Sequence, residues 1–350
     1  MSRLAALTTI LIIIFCYNVF AEGKTYKPEL MLPIGHSDAI TSVQFSPDDK
    51  FILTASCDKT AKLWETSTGK LIRTYGGNID FINIAIFSSD GTKIITSRGG
   101  RTPNSLFTQT SFPRTNEDSL IDKTAKVWDT ESGKLILILK GHTDYINNID
   151  ISPNNKYILT SSADSTAKLW DVNDGRNLFT FKSPFGEVMS AVFSPNGEYI
   201  LTATGRYPYL LGPKPKLITI NFSEEDYIPN RTAMLWETSS GKLRNTFKGN
   251  FGYVTKRTFS PDSKYIISAN NDSTVTIFET LKPKVNFNLA DKNISSAEFS
   301  PDGKYILTAS YDGIGRVLES TTGKLISTLR GCYLDQVEVN IYLLFGLISI

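Results

Sequence analysis

His36 and His142 are the only histidines in this chain, and a histidine can ligate a metal or move a proton near neutral pH. A row of carboxylates accompanies them: Asp58, Asp122, Asp164, Asp272 and Asp312, with Asn230 taking the remaining place. The two histidines fall at the same position of repeats that lie two apart, which separates them too far to share an ion or a substrate. Each carboxylate is accounted for by the turn it belongs to. Glu224-Glu225-Asp226 lacks the alternation of a calcium loop and reads as a solvated acidic stretch. No zinc-ligand spacing, dinucleotide glycine fingerprint or phosphate loop occurs. The expectation is no catalytic residue, no metal site and no cofactor.

The elements that position these residues are repeated turns. They read Ser46-Pro47-Asp48-Asp49-Lys50, Ser88-Ser89-Asp90-Gly91-Thr92, Ser152-Pro153-Asn154-Asn155-Lys156, Ser194-Pro195-Asn196-Gly197-Glu198, Ser260-Pro261-Asp262-Ser263-Lys264 and Ser300-Pro301-Asp302-Gly303-Lys304. The leading serines stand 42, 64, 42, 66 and 40 residues apart. A basic period of about 40 with two longer steps marks a solenoid, a propeller or an array. Within the first repeat, Ile40–Phe45 alternates as a half-buried strand does, and Phe51–Thr54, Ala61–Trp64 and Leu71–Tyr75 follow between polar turns. Four short antiparallel strands form one blade, and a blade buries both faces only by stacking on its neighbours.

Aligned on the turn, the repeats form columns. Trp64, Trp128, Trp170, Trp236, Phe278 and Leu318 share a third-strand position; Thr54, Thr96, Thr160, Thr202, Ser268 and Thr308 share a second-strand hydroxyl. Gly35-His36 and Gly141-His142, with Trp64-Glu65, Trp128-Asp129, Trp170-Asp171 and Trp236-Glu237, complete the pattern. These residues resemble the WD-repeat β-propeller family across roughly residues 29–332. The resemblance implies an all-β propeller of four-stranded antiparallel blades, six complete repeats and a partial seventh. It also implies a buried hydrogen-bonded chain, complete in two blades only: His36-Thr54-Asp58-Trp64 and His142-Thr160-Asp164-Trp170. The other blades lack the histidine, so their networks are expected to be weaker.

The ends read differently. Arg3 followed by the apolar stretch Leu4–Phe20 and then Val19-Phe20-Ala21 reads as a signal peptide over 1–21, leaving 22–350 as the propeller. An uncleaved N-terminal membrane anchor is the competing reading, since that stretch approaches a spanning length. Of the cysteines, Cys57 and Cys332 would remain after cleavage, either unpaired or bridged between the last and first blades. Residues 332–350 would be an incomplete last blade, with Gln336–Tyr342 as its first strand; a six-blade ring with terminal strands tucked at its edge is the alternative. The expected location is periplasmic or extracellular, with no membrane span after cleavage.

The two longer steps locate insertions at about 98–121 and 205–229, both replacing the turn between second and third strands. Equivalent turns share one face of a propeller. Long loops on rigid scaffolds carry binding function, and aromatics with arginine dominate interface hot spots. The candidate binding residues are therefore Arg101, Phe107, Phe112 and Arg114 in the first, and Tyr207, Tyr209, Phe222 and Tyr227 in the second. A net charge of +2 with scattered basic residues gives no reason to expect nucleic acid. The expected function is a non-catalytic, exported scaffold for a protein or peptide, monomeric unless another chain completes the last blade. A propeller-supported hydrolase or other enzyme, and the product of a truncated gene, are the alternatives.

Overall fold

The computed structural model describes residues 35–330 apart from 78–79, 99–121, 205–231, 249–250, 252–253, 270–273, 283–284, 291–293 and 311–312. From His36 onward the chain forms one compact unit. Six antiparallel sheets follow one another, each built from strands consecutive in sequence. The first holds Ile40–Phe45, Phe51–Ser56, Ala61–Glu65 and Leu71–Tyr75. The second spans Ile84–Leu139, the third Ile146–Lys182, the fourth Val188–Lys248, the fifth Tyr265–Ala290 and the sixth Ile294–Arg330. The propeller class expected from the repeats is the class observed.

The recurring turn works the same way in all six sheets. In the first, the Ser46 hydroxyl donates to Asp48 Oδ1 at 2.7 Å and accepts the Phe51 N–H at 2.9 Å, while Asp49 N–H bonds the Ser46 carbonyl. The fourth turn residue takes a left-handed conformation throughout: Asp49, Gly91, Asn155, Gly197, Ser263 and Gly303 have φ between 57° and 73°. Five of the six are Gly, Asn or Asp, the types that tolerate it at least cost. A second shared device sits on the third strand. The pairing to the fourth strand shifts register directly before Trp64, Trp128, Trp170, Trp236, Phe278 and Leu318. A bulge there sharpens the twist each sheet needs to stack on the next.

Stacking supplies the core. Leu53, Ala55, Ala61 and Leu63 of the first sheet pack on Ala85, Phe87 and Ile94 of the second. Four further clusters join the second sheet to the third, third to fourth, fourth to fifth and fifth to sixth. Each fully buried leucine or isoleucine contributes about 1.5–3 kcal/mol relative to exposure. The position that faces the preceding sheet is buried in the third sheet, where Ile149 and Ile151 are 4% and 2% exposed. In the first sheet the equivalent residues, Val43 and Phe45, are 63% and 55% exposed. That face has no sheet packed on it among the described residues. The expected partial seventh blade at 332–350 lies outside them, as does segment 1–21.

The fifth sheet departs from the expected four strands. It has three, and its first strand is reduced to a single bridge between Phe259 and Ile266. The preceding residues Lys256–Thr258 form a 3₁₀ turn instead. Thr255 N–H donates to Thr258 Oγ1 at 2.9 Å, and Arg257 N–H donates to Thr255 Oγ1 at 3.2 Å. These local side-chain bonds satisfy backbone groups that a strand would have paired with its neighbour.

Candidate functional site

The structure joins His36, Thr54, Asp58 and Trp64 into one chain of contacts. His36 Nδ1 lies 2.8 Å from Asp58 Oδ2, and its Nε2 lies 2.7 Å from Thr54 Oγ1. Trp64 Nε1–H donates to the same Thr54 oxygen at 2.8 Å. One proton assignment serves every group: Nδ1–H donates to the carboxylate, the threonine hydroxyl donates to Nε2, and the indole donates to the hydroxyl. Burial raises the Asp58 carboxyl, but hydrogen bonds from Thr60, His36 and the Ser37 and Thr60 N–H groups outweigh it and hold the group at about 2. His142, Thr160, Asp164 and Trp170 repeat the arrangement at 2.8, 2.7 and 2.9 Å. Burial opposes ionisation of Asp164 too; His142, Thr166 and the Thr143 N–H override it and push the carboxyl far below its usual value. Both imidazoles are buried with both ring nitrogens engaged, so neither presents a free nitrogen to a substrate or an ion.

The second sheet has no histidine, and a residue that the sequence reading did not single out takes its place. Lys126 Nζ lies 2.8 Å from Asp122 Oδ2, with both side chains nearly buried. The reason lies on the paired strand. In the first and third sheets the equivalent lysines, Lys62 and Lys168, donate outward to Thr74 and Thr180 on the paired fourth strand. Lys126 pairs with Ile138, whose side chain offers no oxygen, and its ammonium turns to the carboxylate. Trp128 still donates to Thr96 at 2.9 Å, so the second sheet has a working variant of the network rather than a gap. The fourth sheet keeps Trp236 on Thr202 at 3.0 Å. In the fifth, Phe278 replaces the donor and packs its ring 5.2 Å from Phe247.

First-strand positions carry a second polar set. Asp150 is buried in the third sheet and accepts the Phe193 N–H at 2.9 Å and its own neighbour Ile151 N–H at 2.8 Å. Lys256, from the 3₁₀ turn, reaches it at 3.0 Å. Burial raises the Asp150 carboxyl, with Lys256 and the two N–H groups opposing. Glu298 in the sixth sheet is also raised by burial, against Arg257 and Thr255. The described residues contain no group of three or more His, Cys, Asp or Glu placed to hold a metal ion.

Where the first inserted segment departs, Arg98 lies between two rings. Its guanidinium carbon is 4.7 Å from the centroid of Phe81 and 4.9 Å from that of Tyr145. Arg98 Nη1 donates to Asp80 Oδ2 at 2.6 Å. The sequence signal was present in the loops before the first strands: Asp80-Phe81 and Asp144-Tyr145 occupy equivalent places, seven residues before the turn serine for each ring. Arg101, Phe107, Phe112, Arg114, Tyr207, Tyr209, Phe222 and Tyr227 lie outside the described residues.

Comparison with known proteins fits this geometry. The family described as "WD domain, G-beta repeat" matches residues 27–65, 133–171, 241–279 and 282–317. The chain contains four WD repeats. An uncharacterized WD repeat-containing protein of Synechocystis is 26% identical over 37% of this chain and 43% of its own length. Nuclear distribution protein PAC1 of Coccidioides posadasii is 25% identical over 39% of each. Small ribosomal subunit protein RACK1 of Drosophila melanogaster is 31% identical over 40% of this chain and 36% of its own length. The chain thus spans less than half the length of these relatives. The WD repeats left unmatched are those ending at Trp128-Asp129 and Trp236-Glu237, the two interrupted by insertions. Their strands and their Trp–Thr bonds are nevertheless in place.

Proposed function

We propose that this WD-repeat chain is a non-catalytic scaffold that binds a protein or peptide through the face bearing the two inserted segments. The observation that carries this reading is where the insertions begin and end. Ser97 pairs with Ala125 and Thr204 pairs with Thr232, so each insertion leaves and re-enters a sheet at the same end of the second and third strands. In the third sheet, between them, the same connection takes only Ala163-Asp164-Ser165. Both long segments therefore rise from one end of the stack, on either side of a short turn. The ordered strands below them supply the rigid base that a binding loop requires. WD repeats serve generally as platforms for protein interaction, and the buried, fully engaged histidines argue against acid–base chemistry at those positions.

An apolar leader over 1–21 supports export to a periplasmic or extracellular location. No helix among the described residues is long and apolar enough to cross a membrane. The first-sheet face at Val43 and Phe45 is exposed, and in this reading residues 332–350 or another chain would cover it. The test of the main reading is capture from an envelope fraction by the intact protein and by a variant carrying three-residue turns in place of 99–121 and 205–231. A partner retained by the first and lost by the second supports it. Equal retention by two folded proteins moves the site elsewhere.

A further inference from the structure

We propose that the outer edge of the second sheet, Leu135–Leu139, is a docking site for an extended peptide that adds to the sheet as a further strand, and that the peptide it fits has an apolar middle and a carboxylate at each end. The fourth strand ends the order of strands in its sheet, so one of its edges pairs with no strand among the described residues. Along such an edge every second residue turns its N–H and C=O outward, where another chain can meet them. Proteins usually blunt an edge of this kind with polar or charged side chains. Opposite the third strand, the other five sheets place Thr74, Thr180, Thr246, Asn288 and Thr328 at the position that Ile138 holds here. The edge of the second sheet reads Leu-Ile-Leu-Ile-Leu and carries no polar side chain at all.

A second departure in the same sheet removes the remaining cover. Lys62 and Lys168 reach over their fourth strands to Thr74 and Thr180, whereas Lys126 turns inward to Asp122 and leaves Ile138 without an ammonium beside it. Ile136 and Ile138 are 42% and 41% exposed. Leu137 and Leu139 pack in the cluster shared with the third sheet, which holds the strand in place. An added strand would draw affinity from main-chain bonds and specificity from its alternate side chains, here against the two isoleucines. The ends of the edge decide the occupant. Lys134 and Lys140 flank it, both exposed and neither with an acidic partner among the described residues. A second copy of this chain, paired antiparallel about Leu137, would set Lys134 against Lys140 twice, and like charges directly opposite are destabilising. A peptide with glutamate or aspartate at those two places converts both repulsions into attractions.

The test uses the full chain and a blocked, fluorescently labelled synthetic peptide of alternating valine and threonine with a glutamate at each end. Anisotropy is followed at low ionic strength, where surface charge is least screened. The expected result is saturable binding, about tenfold weaker when lysines replace the two glutamates, and lost when the peptide's backbone is N-methylated. I136T/I138T, which gives this edge the polar character of the others, should bind the glutamate peptide at least tenfold more weakly. Hydrogen exchange should slow within Leu135–Leu139 when that peptide is bound. Absence of saturable binding to the wild-type protein, or equal binding of the glutamate, lysine and N-methylated peptides, overturns the proposal without recourse to any variant. Protection that appears elsewhere and not at this edge also overturns it. So does a concentration-dependent dimer of the wild-type protein that I136T/I138T abolishes, since the edge would then belong to a second copy.

Discussion

Lys126 stands 2.8 Å from Asp122 at the point where the first and third sheets place a histidine 2.8 Å from the equivalent aspartate. A cation on a side chain from the third strand thus replaces an imidazole from the preceding loop. Asp122 stays ionised for this reason: burial raises its carboxyl, and the Lys126 and Thr124 hydrogen bonds lower it further than burial raises it.

Lys126→Ala should therefore destabilise by about 1–3 kcal/mol, because it leaves a nearly buried carboxylate short of a partner. Lys62→Ala should cost no more than about 0.5 kcal/mol, since its bond to Thr74 is exposed. Urea unfolding of the two variants checks the contrast. Equal losses would show that the inward turn of Lys126 carries no weight.

Acid stability should report the histidine networks. The Asp58 carboxyl is held at about 2 against an ordinary 3.8. A group lowered on folding contributes fully above its unfolded value and loses that contribution as pH falls through its folded value. Stability should therefore decline between about pH 4 and pH 2, and Asp58→Asn should flatten that part of the profile. Asp150 runs the other way: burial raises it, so its contribution fades as pH climbs above 3.8. Chemical unfolding at stepped pH measures both slopes, and a wild-type profile unchanged by Asp58→Asn contradicts the network's role.

Asp164→Ala should destabilise by about 1–3 kcal/mol, since His142, Thr143 and Thr166 all donate to that one carboxylate. Melting temperatures compared with wild type test it; an unchanged midpoint refutes the assignment.

Deletion of residues 102–116 should leave the sheets folded, because Ser97 and Ala125 are already paired across the base of the segment. A retained β-rich circular dichroism spectrum with a cooperative melt is the expected result. Loss of that spectrum would mean that the segment is part of the core.

Much of the fold was legible because it is local and repeated. The Ser-Pro-Asp turn requires a left-handed fourth residue, and Asp49, Asn155 and the glycines supply it. The hydroxyl and tryptophan columns lie a fixed distance apart on paired strands, so one repeat predicts the next. What the period could not carry is the difference between repeats. The loss of the fifth sheet's first strand depends on Thr255 and Thr258 bonding each other's backbones. The inward turn of Lys126 depends on Ile138, a residue on another strand. The seat of Arg98 against Tyr145 and the Asp150–Lys256 pair join different sheets, and no alignment of repeats brings those residues together.

A partner is expected to dock at the end of the strands to which the two insertions are joined. Hydrogen–deuterium exchange of the full chain, with and without a captured partner, checks this. New protection is expected at the bases of the insertions, around Ser97 and Ala125 and around Thr204 and Thr232, and within the segments they bound. Protection confined to the opposite end, at turns such as Ser46–Lys50 and Ser152–Lys156, would contradict it.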